Sequence, residues 1–480
     1  MKLETLLQAI RPLEVIGNKD IEITGIQFDS RKVTTGNLFV AQKGTAVDGH
    51  QFINACISSG AAAVVCENTD GIDNTSGATI IRVKNSDEAL GRIAATWFDN
   101  PSRKLKLVGV TGTNGKTTIA TLLYKLVRAL GHKAGLLSTV VNYVDEKAIP
   151  STHTTPDALQ LNALLADMVA AGCEYAFMEV SSHSIAQERI AGLDFDGALF
   201  TNLTRDHIDY HKTFDNYRDT KKRLFDTLKK EAFALTNKDD KNGMVMLQNC
   251  KAHLHTYSTR SMADYRGMIL EEGFDGMLLT INQKEVFVPL VGRFNLQNLL
   301  CIYGAAVCLG FEAQEVLRIL STLSAVNGRF EAIHSPKGWT AIIDYAHTPD
   351  AVDNVIKTIN EIRKGRLITV VGCGGNRDKG KRPMMAKIAK QGSDQLILTS
   401  DNPRDEEPKD ILKDMTDGLT EDELRSTLVI EDRATAIQTA CTLAQKDDVI
   451  LIAGKGHEDY QIIKGVKHHF DDHEEVKKYC

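Results

Sequence analysis

The stretch Leu105-Lys106-Leu107-Val108-Gly109-Val110-Thr111-Gly112-Thr113-Asn114-Gly115-Lys116-Thr117-Thr118 decides the fold of this 480-residue chain. Its first half is apolar and predicts a buried β-strand, and its second half is a glycine-rich turn. Apolar residues at helical spacing follow at once, from Ile119 to Leu130, and Gly131 stands where a helix would end. The pattern therefore predicts a strand, a tight turn and a helix in immediate succession.

A strand, a glycine-rich turn and a helix in this order form a cradle for phosphate. Backbone N–H groups of the turn and the positive end of the helix dipole both point at the anion. The lysine of such a turn can reach the β- and γ-phosphates, and the next hydroxyl can ligate Mg²⁺. The common motif has a glycine where this chain has Val110, and a glycine turn without a ligand is the alternative. We expect ATP to bind at Gly112, Thr113, Asn114, Gly115, Lys116, Thr117 and Thr118.

The composition excludes several classes of protein. The chain is 42% hydrophobic and 25% charged, and its net charge of -6 does not predict a nucleic-acid partner. Its apolar runs have only the length of strands, so no membrane insertion is expected. The first residues do not resemble a signal peptide. Nine cysteines without a Cys-x-x-Cys pair do not predict a disulfide framework, so we expect a cytoplasmic protein.

Strand and helix patterns alternate along the whole chain, which predicts an α/β fold of three domains. We expect a small N-terminal α/β domain over residues 1–102 and a central phosphate-loop ATPase domain with a mostly parallel sheet over 103–330. A C-terminal doubly wound, Rossmann-like domain is expected over 331–480. Beyond the strand that starts at Leu105, the predicted strands are 23–28, 37–41, 61–66, 79–83, 134–140, 175–180, 197–203, 232–236, 339–344, 366–371, 395–399, 427–430 and 448–452.

Polar clusters follow several of these strands, and ligands bind at the carboxyl ends of strands in parallel sheets. Glu179-Val180-Ser181-Ser182-His183 closes one strand, and Asn202-Leu203-Thr204-Arg205-Asp206-His207 closes the next. A carboxylate and an imidazole on adjacent strand ends suit a divalent metal, although each alone could be a solvated loop residue. Gly372-Cys373-Gly374-Gly375 is only part of a dinucleotide fingerprint, because Arg377 occupies the last glycine position; NAD is therefore not favoured.

Together with Asp344-Tyr345-Ala346-His347, Asp401-Asn402-Pro403-Arg404 and Gly454-Lys455-Gly456-His457-Glu458, these motifs resemble the Mur ligase family along all three domains. The resemblance implies an ATP-dependent ligase of peptidoglycan precursor synthesis. It would join UDP-N-acetylmuramoyl-L-alanyl-D-glutamate to meso-2,6-diaminopimelate through an acyl phosphate. L-Lysine as the amino acid is one alternative, and a folylpolyglutamate-synthetase-like ligase is another. A phosphate-loop kinase or GTPase would need neither of the last two motifs. A binding module without activity is disfavoured because Lys116, Glu179 and His207 are all present.

The resemblance also implies roles for individual residues. The nucleotide would further contact Asn295, Asn298, Arg329 and Asp344. One Mg²⁺ would lie near Thr117 and Glu179 and another near His207, and the catalytic set would be Lys116, Glu179, His207 and Lys221. The UDP-sugar peptide would bind Ser30, Thr45, Thr154, Thr155, Ser181, Gln187 and Arg189. The partners are small molecules, and a monomer is expected.

Lys221 follows the His207 cluster, where a protonated amine would be repelled by Mg²⁺. The family resolves this conflict by carbamylation with CO₂, which turns the amine into an anion that can ligate or support the metal. Lys222 is the adjacent competitor, and an unmodified lysine on a charged helix is the simpler alternative.

The choice of amino acid depends on the second carboxylate of diaminopimelate, which lysine lacks. A guanidinium pairs with a carboxylate in a two-pronged geometry. Arg404, on a turn stiffened by Pro403, offers that group. The resemblance completes the amino-acid pocket with Arg377, Asp401, Asn402, Gly454 and Glu458, the last facing an ammonium.

Overall fold

A computed structural model describes residues 1–44, 47–73, 77–151 and 153–480. Each of the three predicted domains contains one main sheet, and the α/β class is confirmed. The strands predicted from sequence are all present, with small shifts at their ends. The boundaries at 102/103 and 330/331 fall between sheets and remain predictions.

The N-terminal sheet has five strands in the order β1-β5-β4-β3-β2, and only the pair β1–β5 is antiparallel. Its core side chains come from strands that are buried on both faces, such as β3. The elements are α1 (Leu3–Leu7), β1 (Glu14–Ile16), β2 (Gly25–Gln27), β3 (Asn37–Val40), α2 (Ile53–Ser58), β4 (Ala63–Cys66), β5 (Thr79–Arg82) and α3 (Ser86–Trp97). A left-handed turn at Asp99 and Asn100 and a short 3₁₀-helix, Pro101–Lys104, lead to the next region.

The central sheet has eleven strands in the order β16-β15-β14-β13-β12-β11-β6-β10-β7-β8-β9. Its elements are β6 (Lys106–Thr111), α4 (Lys116–Ala129), β7 (Ala134–Leu137), β8 (Val141–Val144), β9 (Lys147–Pro150), α5 (Ala158–Ala170), β10 (Tyr175–Glu179), α6 (Ser182–Ala186), β11 (Gly197–Phe200), α7 (Ile208–His211), α8 (Phe214–Asp226), β12 (Phe233–Asn237), α9 (Gly243–Leu247), β13 (His253–Ser258), β14 (Tyr265–Gly273), β15 (Gly276–Ile281), β16 (Lys284–Val288), α10 (Arg293–Cys308) and α11 (Ala313–Leu320).

The strands from β14 to β7 pair in parallel, as expected, but both edges of this sheet are antiparallel. The sequence did not predict the edge strands β8, β9 and β13–β16. Those strands are partly exposed, and β14 carries a register shift between Ile269 and Glu271 that interrupts the alternation of inward and outward residues. Their apolar pattern is therefore weak, although their pairing is extensive.

The C-terminal sheet has the order β17-β18-β22-β19-β20-β21, with every pair parallel except β17–β18. Apolar clusters pack on both of its faces, as in a doubly wound domain. The elements are β17 (Glu331–His334), β18 (Thr340–Asp344), α12 (Pro349–Ile362), β19 (Leu367–Cys373), α13 (Lys381–Gly392), β20 (Gln395–Ser400), α14 (Pro408–Thr416), α15 (Glu421–Arg425), β21 (Thr427–Val429), α16 (Arg433–Leu443), β22 (Val449–Ala453), the hairpin β23 (Tyr460–Ile463) and β24 (Val466–His469), and α17 (Asp472–Lys477).

The register of the central strands brings their carboxyl ends together. Glu179 at the end of β10 pairs with Val110, and Phe200 at the end of β11 pairs with Thr111. In the C-terminal sheet, Asp344 at the end of β18 pairs with Ala453. The loops that follow these residues line one cleft. Within the described ranges, no helix has the length and apolarity needed to cross a membrane.

Candidate active site

A cleft of about 1080 Å³ lies between the central and C-terminal regions. It is lined by most of the residues that the sequence nominated for ATP, metal and amino-acid binding. The nominated residues in its lining are Thr113, Asn114, Gly115, Lys116, Thr117, Thr118, Thr154, Glu179, Ser181, His207, Lys221, Asn295, Asn298, Arg329, Asp344, Arg377, Asp401, Asn402, Arg404, Gly454 and Glu458.

The phosphate loop turns at Gly112, which has φ +147°, and a Cβ there would lie 1.9 Å from the Thr201 hydroxyl. Glycine is required at this position because no side chain fits. Val110 is fully buried inside β6, before the turn begins, so its departure from the common motif does not alter the loop. The ammonium of Lys116 donates to the carbonyls of Gly112 and Thr113, at 3.0 and 2.7 Å. The lysine thus folds over its own loop, where a phosphate would sit.

Glu179 joins the phosphate loop to the neighbouring strand ends. Its carboxylate accepts from the Thr117 hydroxyl at 3.0 Å and from the Thr139 backbone N–H at 2.7 Å. Only 1% of Glu179 is exposed, so these two donors offset the cost of burying the charge. Both oxygens are thereby fixed in orientation beside the helix N-terminus.

Lys221, rather than Lys222, reaches the phosphate loop. Lys221 is 1% exposed, and its ammonium donates to the Gly112 carbonyl at 2.8 Å. Burial lowers the pKa of Lys221 well below its ordinary value, and the charge of Lys116 lowers it further. Lys222 instead pairs with Asp226 at 2.5 Å on the same helix.

His207 directly precedes α7 in a left-handed conformation, φ +53°, and lines the cleft. The ring packs edge-on against His183, with centroids 4.7 Å apart. Although 43% of the side chain is accessible, loss of bulk water inside the cleft lowers the pKa of His207 to about 4, against the pull of Asp206. The imidazole is therefore neutral at pH 7 and can act as a metal ligand.

Arg329 connects the C-terminal region to the phosphate loop by donating to the Thr117 hydroxyl at 3.1 Å. Its buried Nε has no hydrogen-bond partner in the described part of the chain, so it can still receive an anion. Asp344 accepts from the N–H groups of Phe330 and Ala346, both at 2.7 Å, and thereby fixes the segment that carries Arg329.

Asn295 and Asn298 lie on α10, where the amide of Asn298 donates to Asn295 at 3.1 Å. The Asn298 oxygen faces the loop so closely that a Cβ on Gly115 would lie 2.6 Å from it. This close approach places α10 directly beside the phosphate loop.

Four of the residues nominated for the UDP-sugar peptide form a connected group next to the cleft. The Thr155 hydroxyl donates to the Glu179 carbonyl at 2.9 Å, and it accepts from the Ser181 N–H at 3.2 Å. Arg189 donates to the Thr155 carbonyl at 2.8 Å and to the Gln187 amide oxygen at 2.6 Å.

Two residues nominated for the UDP-sugar peptide are not part of this group. Ser30 begins a 3₁₀-helix, Ser30–Lys32, in the N-terminal region, outside the lining that the described residues form. Thr45 lies outside the described residues.

At the opposite end of the cleft, the loops after β20 and β22 face each other. Asn402 donates to the Glu458 carboxylate at 2.5 Å, and Arg404 donates to the Gly375 carbonyl at 2.8 Å. Burial and the nearby charge of Asp401 raise the pKa of Glu458. The buried Oδ1 of Asp401 has no hydrogen-bond partner among the described residues. Two carboxylates thus gather where an incoming ammonium would be stabilised.

Some of the residues that build the cleft were not nominated from the sequence. Thr139 orients Glu179, and Thr201 donates to the Asn114 carbonyl at 2.6 Å. Asp350 accepts from the Asn114 amide at 3.1 Å, across the cleft. Thr201 directly precedes a nominated cluster and could have been included, whereas nothing local in the sequence marks Thr139 or Asp350.

Buried cations support the amino-acid end from behind. The Arg382 side chain has no exposed surface, and it donates to Glu406, to Asp414 at 2.7 Å and to the Gly374 carbonyl. Lys455 is equally buried and donates to the Tyr460 carbonyl. These contacts hold together the loops that carry the residues nominated for amino-acid binding.

Comparison with known proteins agrees with this geometry. Three family models match the chain. The model described as "Mur ligase middle domain" matches residues 110–306, and the model described as "Mur ligase, glutamate ligase domain" matches residues 328–456. The model described as "Mur ligase family, catalytic domain" matches residues 22–98.

Several relatives bear the name UDP-N-acetylmuramoyl-L-alanyl-D-glutamate--2,6-diaminopimelate ligase. The relative from Parabacteroides distasonis is 61% identical over 480 residues, covering 100% of this chain and 99% of its own. The relative from Phocaeicola vulgatus is 59% identical and covers 99% of both chains. A solved structure described by the same name has a TM-score of 0.70 at 34% identity, covering 99% of this chain and 98% of its own. The resemblance expected from the sequence is confirmed, and the chain belongs to the Mur ligase family.

Proposed function

We propose that this protein uses ATP to join the D-glutamyl carboxylate of UDP-N-acetylmuramoyl-L-alanyl-D-glutamate to meso-2,6-diaminopimelate. The observation that carries the proposal is the presence in one cleft of a phosphate loop, with Lys116 and Glu179, and an acceptor rim, with Arg404 and Glu458. The relatives named as diaminopimelate ligases support the same choice of substrates. Such a reaction supplies a cytoplasmic precursor of the cell wall, and we propose that the enzyme works there as a monomer.

The reaction proceeds in two steps. A carboxylate oxygen of the nucleotide-sugar dipeptide attacks the γ-phosphorus of ATP, and the bond to the leaving ADP oxygen breaks to give an acyl phosphate. The amine of diaminopimelate then attacks the acyl carbon, loses a proton and displaces inorganic phosphate. Lys116 and the N–H groups of the loop stabilise charge on the phosphoryl oxygens, and the role of the loop is mainly positioning and electrostatics.

The residues around the phosphate loop fit Mg²⁺. Thr117 and Glu179 already contact one another at 3.0 Å and offer the oxygen ligands that this ion prefers, and His207 would complete a second site. Mg²⁺ would neutralise charge on the phosphates. Within the described residues, no group of three or more His, Cys, Asp or Glu side chains is placed to hold a metal ion, so any Mg²⁺ here would also need ligands such as the phosphates.

Lys221 would take part as a carbamate. Its lowered pKa favours the neutral amine, and the amine nitrogen can add to the carbon of CO₂ and release one proton. The product is an anion beside the metal site, whereas the ammonium would be repelled there. The buried position against Gly112 supports this assignment over Lys222.

The test is the release of ADP in the presence of UDP-N-acetylmuramoyl-L-alanyl-D-glutamate, with diaminopimelate, L-lysine and glutamate compared as acceptors. We expect turnover with diaminopimelate and little with the other two. Equal rates with L-lysine would contradict the assigned acceptor. A preference for glutamate would point to a folylpolyglutamate-type ligase, and ADP release that needs no acceptor would point to a kinase or a simple ATPase.

A further inference from the structure

Three loops meet where the nucleotide end of the cleft joins the amino-acid end. They are the linker around Gly328, the loop after β18 at Tyr345, and the loop after β22 at Gly456 and His457. The Tyr345 N–H donates to the Gly328 carbonyl at 2.9 Å. A Cβ on Gly328 would lie 2.1 Å from the His457 nitrogen, and one on Gly456 would lie 2.8 Å from the Tyr345 Cβ. The backbones are therefore in direct contact and form one packed unit.

Tyr345 lies at the centre of this unit and contacts a functional residue at each end. The guanidinium carbon of Arg329 lies 4.5 Å from the centroid of its ring, and Arg329 donates to Thr117 of the phosphate loop. The Tyr345 hydroxyl donates to one oxygen of the Glu458 carboxylate at 3.3 Å, and the other oxygen of Glu458 accepts from Asn402. One rigid side chain thus spans the two ends of the cleft.

We propose that Tyr345 is a positioning residue that couples nucleotide binding to amino-acid binding. The inference rests on the proposed function and extends it to this residue. The ring face attracts the Arg329 cation and keeps it aimed at the phosphates, while the hydroxyl fixes the orientation of Glu458 toward the substrate ammonium. The two contacts use different atoms of the side chain and can be removed separately.

The experiment measures KM and kcat for ATP and for diaminopimelate in two variants. Tyr345→Phe keeps the ring and removes the hydroxyl, so we expect KM for diaminopimelate to rise about ten-fold while KM for ATP changes less than about two-fold, the scale of a hydrogen bond to an ionised group. Tyr345→Leu removes both contacts, so both KM values should rise. The wild-type enzyme, assayed with the same substrates, tests the proposed function separately.

Tyr124→Phe is the matched control. Tyr124 is a buried tyrosine away from the cleft lining, and its hydroxyl donates to the Asp145 carbonyl at 2.8 Å. This variant should leave both KM values unchanged. If the wild-type enzyme is active and Tyr345→Phe either raises both KM values equally or changes neither, the proposed positioning role of Tyr345 is wrong. Thermal unfolding of all variants is measured alongside, and a Tyr345→Phe variant that loses stability and kcat without the KM difference is also evidence against the inference.

Discussion

Replacing Arg404 by methionine tests how the enzyme selects its amino acid. Arg404 has φ +54°, a conformation that disfavours β-branched residues, and methionine is unbranched like arginine. The backbone N–H of Arg404 donates to the Ile462 carbonyl at 2.8 Å, and its carbonyl accepts from the Lys464 N–H at 2.6 Å. Because these bonds do not involve the side chain, the turn should keep its shape in the variant.

The expected loss follows from the hydrogen bonds of the guanidinium. One of its nitrogens donates to the Gly375 carbonyl, and the group lines the cleft, where it can pair with the far carboxylate of diaminopimelate. Two charge-assisted hydrogen bonds contribute about 3 to 4 kcal/mol. The kcat/KM for diaminopimelate should therefore fall by about two to three orders of magnitude. L-Lysine has no second carboxylate, so its kcat/KM, which we expect to be low in the wild type, should change by no more than a few-fold.

The assay is ADP release with each amino acid at saturating ATP and nucleotide-sugar dipeptide. Arg404→Lys is the matched control, because it keeps the charge and removes the two-pronged geometry, and it should recover only part of the lost rate. The reasoning is refuted if Arg404→Met lowers the rates with diaminopimelate and lysine by the same factor, or if diaminopimelate is used as well as before.

Two further predictions concern Lys221 and the support of the acceptor rim. Lys221→Ala should lower kcat at least about a hundred-fold, and added short-chain carboxylic acids should restore part of the lost kcat. As the control, Lys222→Ala should keep a kcat within a few-fold of wild type. Full activity of Lys221→Ala would disprove the role of Lys221 as a carbamate. Hydrogen bonds from Arg382 lower the pKa of Glu406 to about 2, so the ionised carboxylate stabilises the fold above pH 4.5 and this contribution is lost as the pH falls through about 2. Glu406→Gln should therefore reduce the free energy of unfolding by about 2 kcal/mol at pH 7, measured by urea titration, and by less at pH 2.5; equal losses at both pH values would contradict this origin.

The phosphate loop at the nucleotide end was predictable because its geometry is local. The strand β6, the turn at Gly112 and the helix α4 are consecutive in the chain, so hydrophobic pattern and glycine placement specify them together. Glu179 could be nominated because it ends an apolar strand, and the register of parallel pairing then brings it beside Val110. Local sequence thus predicts the cradle, whereas the position of its nearest carboxylate also depends on the pairing of β6 with β10.

The residues that support the cleft were not predictable, because their contacts depend on how distant segments pack. Arginine is a residue type expected at the surface, yet the side chain of Arg382 is fully buried between Glu406 and Asp414. Asp350 meets Asn114 across 236 positions of sequence, and this contact exists only once the central and C-terminal regions are placed together. The edge strand β14 was missed for a related reason, since its exposed Met268 gives it little apolar contrast.

The two ends of the cleft therefore differ in how they can change. The phosphate loop of the nucleotide end is one continuous segment, and a side chain at Gly112 would lie 1.9 Å from the Thr201 hydroxyl, so we expect substitutions at Gly112 to disturb the reaction itself. The acceptor end is built from separate loops after β19, β20 and β22, and Arg382 and Lys455 hold those loops from behind. Because this support is distinct from the side chains proposed to face the substrate, we expect a change at Arg404 to alter acceptor choice while the ATP-dependent step stays intact. On this proposal, acceptor specificity is separable from the chemistry that drives formation of the amide bond.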